Sequence, residues 1–273
     1  MRSALFLPAS NPRAIEKART LDCDVAILDL EDAVAPERKA DARAAAVQAL
    51  RDGGFGPRLG VRINGLDTEW GADDLKALSG AGATLIVAPK VDDADAARAL
   101  TAALPSDAVL WAMIETPRAL LNLNAIAAVE RLEALMLGVN DLAVGLRTGP
   151  SPDREPFKPW LAATVAAARA HGLLALDGVY NRFTDLEGFA AECAQGRLYG
   201  FDGKSLIHPS QIAPANAAFG PSAEEIAHAR AVIAAFALPG SAGKGAIPVD
   251  GRMVERLHLS EAERVLSHLD RDR

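Results

Sequence analysis

Short apolar runs alternate along the chain with alanine-rich amphipathic stretches. Eight such runs occur at intervals of roughly 20–40 residues, which is the spacing expected of alternating strands and helices. Because these runs are continuously apolar, they favour strands buried on both faces of a parallel sheet. The runs are Ala4–Leu7, Val25–Leu30, Leu59–Ile63, Leu85–Ala88, Val109–Ile114, Leu135–Val139, Leu173–Leu176 and Leu198–Phe201.

Eight strand–helix units predict an α/β fold, and more closely a closed (β/α)8 TIM barrel than an open doubly wound sheet. A doubly wound nucleotide-binding fold carries a G-x-G-x-x-G turn after an early strand. Here the first run ends in LPASNPR, which contains no glycine. Asn11 is a suitable cap for the helix that follows, with Pro12 at its first position.

The chain continues beyond the eighth unit. Residues 209–238 have a helical pattern, and it is clearest over Ser222–Leu238. Residues 238–251 break the periodicity with glycine and proline and predict a flexible linker before a last helix over Arg252–Leu269. We therefore divide the chain into a catalytic barrel at 1–220 and a C-terminal helix, linker and lid segment at 221–273. On the residues alone, this extension has either a packing role or a lid role.

Composition narrows the class of protein. Of 273 residues, 50% are hydrophobic and 24% are charged, which excludes a disordered chain and a disulfide scaffold. The formal net charge of -7 argues against a nucleic-acid partner, which requires a basic face. With no apolar run long enough for a signal peptide or a membrane span, we expect a soluble, cytoplasmic protein with no membrane association.

Charged and amide side chains follow the apolar runs where the strands should end. Barrel enzymes place their reactive groups at this carboxyl-terminal rim, so the sequence predicts a site there. The residues in question are Asp29, Glu31 and Asp32 after the second run, Arg62 and Asn64 at the third, Lys90 after the fourth, Glu115 after the fifth, Asp141 after the sixth, Asp177 after the seventh and Lys204 after the eighth.

Glu115 and Asp141 follow neighbouring strands, which lie about 4.8 Å apart, so their carboxylates could share one cation. The five histidines form no zinc-binding pattern, whereas two carboxylates completed by water describe Mg²⁺. The alternative is a rim of ordinary solvated acids. Arg62 has two interpretations as well: a clamp for a substrate carboxylate, or an ion pair with Asp29 or Glu31 beneath the site.

Six motifs, in this order, carry a family resemblance: LFLPASNPRAIEKA, DVAILDLEDAV, VRIN, IET, GVNDLA and GFDGKSLIHPSQI. Over about residues 3–270 the chain resembles the citrate lyase β-subunit-like branch of the HpcH/HpaI aldolase family, which includes malyl-CoA and citramalyl-CoA lyases. The resemblance implies a (β/α)8 barrel that cleaves or forms a carbon–carbon bond in a short β-hydroxyacyl-CoA. The products would be an acetyl-CoA-type thioester and a 2-oxo acid.

The resemblance also implies roles for individual residues. Mg²⁺ would be held by Glu115 and Asp141, and a substrate carboxylate by Arg62, with Asn64 of the same VRIN motif as a further substrate contact. The remaining roles are more peripheral: Asp29, Glu31 and Asp32 would hold metal-bound water or Arg62, and Lys204 and His208 would line the thioester entrance. For His208 the alternative is a structural histidine fixed by Pro209.

One motif departs from the family pattern. Related lyases carry an aspartate in a C-terminal G-x-M-[IV]-D motif, on a lid that closes over a neighbouring subunit, whereas GRMVER places Glu255 there. We expect Glu255 to be the acid that protonates the enolate, and the lid to imply a homotrimer or hexamer. The main alternative is the β subunit of a citrate lyase acting on a citryl thioester of an acyl carrier protein. A non-catalytic acyl-CoA-binding barrel and an aldolase for free hydroxy acids are the other two.

Overall fold

Eight parallel strands form a closed barrel in which every strand pairs with its neighbours in chain order. This computed structural model describes residues 1–151 and 153–270. The barrel closes where the first strand pairs with the eighth, with Ser3 opposite Lys204 and Leu5 opposite Leu206. The predicted (β/α)8 barrel is confirmed. Its strands are β1 (Ser3–Pro8), β2 (Val25–Asp29), β3 (Arg58–Arg62), β4 (Leu85–Ala88), β5 (Val109–Ile114), β6 (Leu132–Leu137), β7 (Leu174–Asp177) and β8 (Gly203–Leu206).

Helices connect the strands. The first begins as predicted: Pro12 occupies its first position, and the Asn11 side chain accepts a hydrogen bond from the backbone N–H of Arg13 at 3.1 Å. The helices of this unit are α1 (Pro12–Ala18), α2 (Lys39–Asp52), α3 (Gly71–Ser79), α4 (Ala94–Ala103), α5 (Pro117–Leu121), α6 (Leu123–Ala127), α7 (Val139–Leu146), α8 (Lys158–Ala170), α9 (Leu186–Tyr199) and α10 (Ile212–Phe219).

The barrel strands are buried on both faces. In β2, Val25 and Ile27 pack with Trp111 and other strand residues in the barrel interior. The alternate residues Ala26 and Leu28 belong to the larger cluster that the strands share with the helices. Successive side chains of a strand point to opposite faces, so burial of both faces explains why VAILD is apolar throughout.

Two predicted strands are misplaced. Leu198–Phe201 was expected to be the eighth strand, but Leu198 lies at the end of α9 and is 85% exposed, and Gly200 ends that helix at a φ of +96°. The true β8 is the segment GKSL, whose buried polar residues concealed it. The sixth strand lies earlier than predicted, since Val139 already begins α7.

A second compact unit begins at Gly220, after the barrel unit Met1–Phe219. Its elements are α11 (Ala223–Ala237), β9 (Ala246–Val249), β10 (Arg252–Glu255) and α12 (Arg256–Asp270). The expected linker is therefore partly wrong, because Ala246–Val249 pairs antiparallel with Arg252–Glu255. Apolar side chains such as Val232, Ile247 and Val254 form a small core of this unit. Its function as a lid stays a prediction.

Over residues 1–151 and 153–270, none of the helices combines the length and the apolar content needed to cross a bilayer.

Candidate active site at the barrel mouth

A cavity of about 350 Å³ lies at the carboxyl-terminal ends of the barrel strands. Its wall is partly apolar, with contributions from Phe6, Met113, Leu137 and Val179. Five of the charged residues predicted from the sequence also line it, namely Asp29, Asp32, Arg62, Glu115 and Asp141. The barrel therefore brings together residues from four separate sequence motifs, as expected for groups at the ends of parallel strands.

Glu115 directly follows β5 and is almost completely buried, with 4% of its surface exposed. Its Oε1 accepts a hydrogen bond of 2.8 Å from the backbone N–H of Lys90. Burial, together with the nearby negative charge of Glu31, raises the pKa of Glu115 from 4.5 to about 7. A carboxyl group with this pKa can either hold a proton or ionise for a cation near neutral pH.

Asp141 is the second carboxylate of the predicted pair. It lies in the first turn of α7, beyond the end of β6 at Leu137. Its side chain is 40% exposed, and Oδ2 lies 3.6 Å from the Nζ atom of Lys90. Asp141 is thus a solvent-accessible carboxylate in the same cavity as the buried Glu115.

Lys90 stands between these acidic groups. Its Nζ donates a hydrogen bond to Oε1 of Glu31 at 3.1 Å, in addition to its contact with Asp141. Burial would lower the pKa of Lys90, but the carboxylates of Glu31, Glu115 and Asp141 outweigh it and raise this pKa. The sequence places Lys90 at the rim but predicts no role for it, because the sequence does not show which carboxylates the ammonium group contacts.

Arg62 forms a buried ion pair, the second of its two interpretations from the sequence. Nε and one terminal nitrogen donate to the two oxygens of Asp29 at 2.7 and 2.6 Å. The other terminal nitrogen lies 2.9 Å from Oε2 of Glu31 and 3.6 Å from Asp32. The fork that could clamp a substrate carboxylate is therefore occupied by Asp29, and one nitrogen remains for exchange with a ligand.

The loop after β2 is fixed by Asp29 and by Lys39, a residue for which the sequence predicted no role. Backbone N–H groups of Glu31 and Ala33 donate to the carboxylate of Asp29. Lys39 donates from Nζ to the carbonyl oxygens of Leu30 and Glu31, both at 2.7 Å. The one hint in the sequence is the position of Lys39 at the start of an alanine-rich helix. Its burial, which the structure shows, is what requires these hydrogen-bond partners.

Asn64 serves this scaffold rather than the cavity. It is 2% exposed and does not line the mouth. Its Oδ1 accepts from Lys39 at 2.7 Å, and its Nδ2 donates to Asp74 at 2.6 Å. Because Asn64 is buried and lies away from the cavity, the remaining lone pair of Oδ1 and the remaining N–H of Nδ2 are out of reach of a substrate.

The family resemblance implies that Lys204 and His208 line the thioester entrance. For Lys204 this prediction is wrong. Lys204 is completely buried in β8, where Nζ pairs with Asp177 at 3.1 Å and Glu192 at 2.7 Å. Its ammonium group therefore lies within the wall. His208 is exposed, accepts a hydrogen bond at Nδ1 from the backbone of Ser210, and stacks on Phe183 with ring centroids 4.7 Å apart. These contacts match the structural alternative for His208.

The donor set at the mouth fits a hard divalent cation. Within residues 1–151 and 153–270, no group of three or more His, Cys, Asp and Glu side chains is arranged to hold an ion. An ion at this mouth would therefore take Glu115 and Asp141 and fill its remaining positions with water or substrate oxygens, as Mg²⁺ does. Close packing of Gly138 against the carboxyl group of Glu115 supports the fit, because it fixes where that group lies.

Comparison with known proteins gives relatives that cover nearly the whole chain. A (3S)-malyl-CoA thioesterase from Cereibacter sphaeroides is 48% identical over 97% of this chain and 93% of the relative. An L-malyl-CoA/beta-methylmalyl-CoA lyase from Cereibacter sphaeroides is 37% identical over 96% of this chain and 92% of the relative.

Solved structures agree with this relationship. The crystal structure of the protein CitE from Mycobacterium tuberculosis, in complex with magnesium, acetoacetate and coenzyme A, superposes with a TM-score of 0.79. It is 36% identical and covers 97% of each chain. The sequence model of the HpcH/HpaI aldolase/citrate lyase family also matches residues 2–209. The chain belongs to the HpcH/HpaI aldolase/citrate lyase family.

Proposed function

We propose that this protein is a Mg²⁺-dependent enzyme that acts on the CoA thioester of a short β-hydroxy acid of the malyl or citramalyl type. The proposed reaction is reversible carbon–carbon cleavage to an acetyl-CoA-type thioester and a 2-oxo acid. The observation that carries this proposal is the presence of Glu115, Asp141 and Arg62 in one cavity at the barrel mouth. Two oxygen donors for a cation and one guanidinium suit a ligand that combines a hydroxyl group with a carboxylate.

The relatives support the substrate class. Both curated relatives described above are named for malyl-CoA, and the CitE structure holds magnesium with coenzyme A. These properties belong to those proteins, and we transfer them to this chain because its own cavity holds two carboxylates suited to a cation and a guanidinium suited to a carboxylate. We further propose that the enzyme is a homotrimer or hexamer in which the second unit serves as a lid.

Several residues of the barrel would act on the substrate directly. The chemistry that Mg²⁺ supplies when held by Glu115 and Asp141 is Lewis-acid polarisation of substrate oxygens. Asp29 fixes the plane of Arg62 through two hydrogen bonds. The other terminal nitrogen lies 2.9 Å from Glu31 and would exchange that partner for a substrate oxygen in one direction. Before an ion enters, Glu115 can hold a proton at Oε2 because its pKa is about 7. The apolar wall, including Phe6 and Met113, limits water at the reacting carbon.

In the proposed cleavage the substrate hydroxyl passes its proton to solvent water and becomes the carbonyl of the 2-oxo acid, while the adjacent carbon–carbon bond breaks and its electron pair moves onto the thioester fragment. One fragment leaves as the 2-oxo acid, and the other is the enolate of the thioester. We assign the protonation of that enolate to Glu255, whose carboxyl group takes the place of the lid aspartate of related lyases. The backbone N–H of Glu255 donates to Nδ1 of His258 at 2.9 Å, which helps to fix the end of β10.

Hydrolysis of the thioester is a second candidate reaction. It is favoured by one specific observation: the thioesterase relative is 48% identical to this chain, whereas the lyase relative is 37% identical. The binding residues would be shared, but the products would be free CoA and the hydroxy acid. Action on a citryl thioester of an acyl carrier protein, as in a citrate lyase β subunit, is the main alternative from the sequence.

Product analysis by mass spectrometry separates these reactions. The full-length protein is incubated with (3S)-malyl-CoA or citramalyl-CoA, in Mg²⁺ or in EDTA. Acetyl-CoA with glyoxylate or pyruvate would support cleavage, and free CoA with malate or citramalate would support hydrolysis. Citryl–acyl carrier protein provides the third arm. Conversion of none of these thioesters in Mg²⁺ would overturn the proposal.

Variants connect the activity to the cavity. Glu115→Gln and Asp141→Asn should each abolish turnover while leaving the circular dichroism spectrum unchanged. Asp107→Asn, which removes a carboxylate from an exposed loop, is the matched control and should retain full activity. Undiminished activity of wild type after exhaustive EDTA treatment would contradict the metal requirement.

A further inference from the structure

Lys90 contacts the mouth carboxylates through both its backbone and its side chain. The backbone N–H donates to Glu115, and Nζ reaches Glu31 and Asp141 at 3.1 and 3.6 Å. Its φ is +50°, in the left-handed region that a lysine rarely adopts. A single residue in this unusual conformation therefore touches three acidic groups from three different segments of the chain.

The charges at the mouth do not balance without a further cation. Five carboxyl groups lie together at this end of the barrel, and three cationic side chains face them, which leaves two negative charges when every acid is ionised. The acids are Asp29, Glu31, Asp32, Glu115 and Asp141, and the cations are Lys39, Arg62 and Lys90. A deficit of two matches one divalent ion.

The three cations differ in their freedom to move. Arg62 is held by two hydrogen bonds to Asp29, and Lys39 by three buried acceptors. The side chain of Lys90 is 47% exposed, and its ammonium group is the one that meets the predicted metal ligand Asp141. Lys90 is thus the cation that can leave the cluster at low cost.

We propose that Lys90 is an internal counter-cation that competes with Mg²⁺ at the barrel mouth. Its ammonium group neutralises Glu31 and Asp141 in the metal-free protein and gives up Asp141 when the divalent ion binds. Lys90 thereby sets the metal affinity and keeps the carboxylates close together before metal arrives. This inference rests on the proposed function, because it assumes that Glu115 and Asp141 hold the ion.

The test is calorimetric titration of Mg²⁺ into metal-stripped protein, which needs no substrate. Lys90→Met keeps the alkyl chain and the backbone N–H but removes the charge. We expect it to bind Mg²⁺ roughly tenfold more tightly than wild type, the order expected when one positive charge near a divalent ion is removed. Lys90→Arg should stay close to wild type. Lys76→Met, which removes an exposed lysine of α3, is the matched control and should leave the affinity unchanged.

Stability gives an independent readout. Without its counter-cation, metal-free Lys90→Met should have a lower Tm than wild type, and saturating Mg²⁺ should abolish most of the difference. If this variant does not fold, wild-type protein labelled with ¹⁵N at lysine side chains provides the measurement. The Nζ resonance of Lys90, assigned with Lys90→Arg, should shift as Mg²⁺ is added.

The outcomes distinguish this inference from the metal site itself. If folded Lys90→Met binds Mg²⁺ no more tightly than wild type, Lys90 does not compete with the ion. The same follows if the Nζ resonance does not shift when Mg²⁺ is added. Either result would leave the proposed metal site itself unaffected. Failure of wild type to bind Mg²⁺ at all would overturn both.

Discussion

A Cβ atom at position 138 would overlap Oε2 of Glu115 and come within 2.5 Å of its Cβ, so Glu115 can occupy its place only beside a glycine. The backbone itself does not demand glycine there, since φ of Gly138 is -105°. The glycine of the GVNDLA motif thus serves the neighbouring strand: it leaves room for the carboxyl group that follows β5.

Gly138→Ala should therefore damage the site more than the fold. We expect a loss of stability of about 1–3 kcal/mol from overpacking and a fall in turnover of about 10²-fold from displacement of Glu115. Urea denaturation and steady-state kinetics measure the two effects. Gly149→Ala is the control, because a Cβ there meets no atom within 4 Å. Wild-type turnover in folded Gly138→Ala would show that the position of Glu115 is not critical.

The raised pKa of Glu115 predicts a pH dependence of stability. The folded, metal-free protein binds a proton at Glu115 up to about pH 7, whereas the unfolded chain releases it near pH 4.5. Folding therefore favours the protonated form, and stability should fall as pH rises from 4.5 to 7. The shift corresponds to at most about 3 kcal/mol.

Urea denaturation in EDTA across this range, for wild type and Glu115→Gln, measures that term. The variant cannot ionise at this position. The free energy of unfolding of the variant minus that of wild type should therefore increase as pH rises from 4.5 and become constant above pH 7. A constant difference between the two proteins would mean that Glu115 titrates normally. Mg²⁺ affinity of wild type should rise through the same range, because the ion competes with the proton.

The barrel could be predicted from the sequence because burial of both strand faces produces apolar runs that need no knowledge of contacts. Strand β8 escaped prediction for the converse reason. Lys204 and Ser205 are polar but fully buried, and Lys204 is tolerated there only because Asp177 and Glu192 meet it from other elements. Leu198, which suggested a strand, is exposed at the end of a helix.

The site shows the same division. Glu115, Asp141 and Arg62 line one cavity because each lies at or just after the carboxyl end of a parallel strand, and the sequence predicted this. For Arg62 the sequence allowed two roles, a clamp for a substrate carboxylate or an ion pair with Asp29 or Glu31. It could not decide between them, because the decision depends on distances across the barrel. The part played by Lys90 could not be predicted at all, since it depends on a left-handed backbone conformation that the residue type disfavours.

The buried position of Lys204 predicts a structural phenotype. Lys204→Met would remove the ammonium partner of Asp177 and Glu192 but leave them Arg154, which lies 2.7 Å from Asp177 and 3.6 Å from Glu192. The cost should therefore fall at the low end of the about 3–5 kcal/mol of a broken buried pair. Thermal denaturation should show a large loss of Tm, while KM for the CoA thioester should be unchanged in the protein that remains folded. Lys158→Met is the control, because Lys158 pairs with Asp153 and Glu155 on the surface and exposed ion pairs contribute little to stability. A raised KM at normal Tm would restore Lys204 to the substrate entrance.

Glu255 predicts the opposite phenotype, a loss of catalysis without a loss of stability. Its side chain is exposed at the end of β10, and substitutions at such surface positions change stability by less than about 0.5 kcal/mol. If Glu255 supplies the last proton, Glu255→Gln should lower kcat about 10²–10⁴-fold with little change in KM. Asp250→Asn, five residues earlier in the same hairpin, is the control, since an asparagine also tolerates the left-handed conformation found there. Rescue of activity by Glu255→Asp would show that a carboxyl group is required, whereas full activity of Glu255→Gln would remove Glu255 from the reaction.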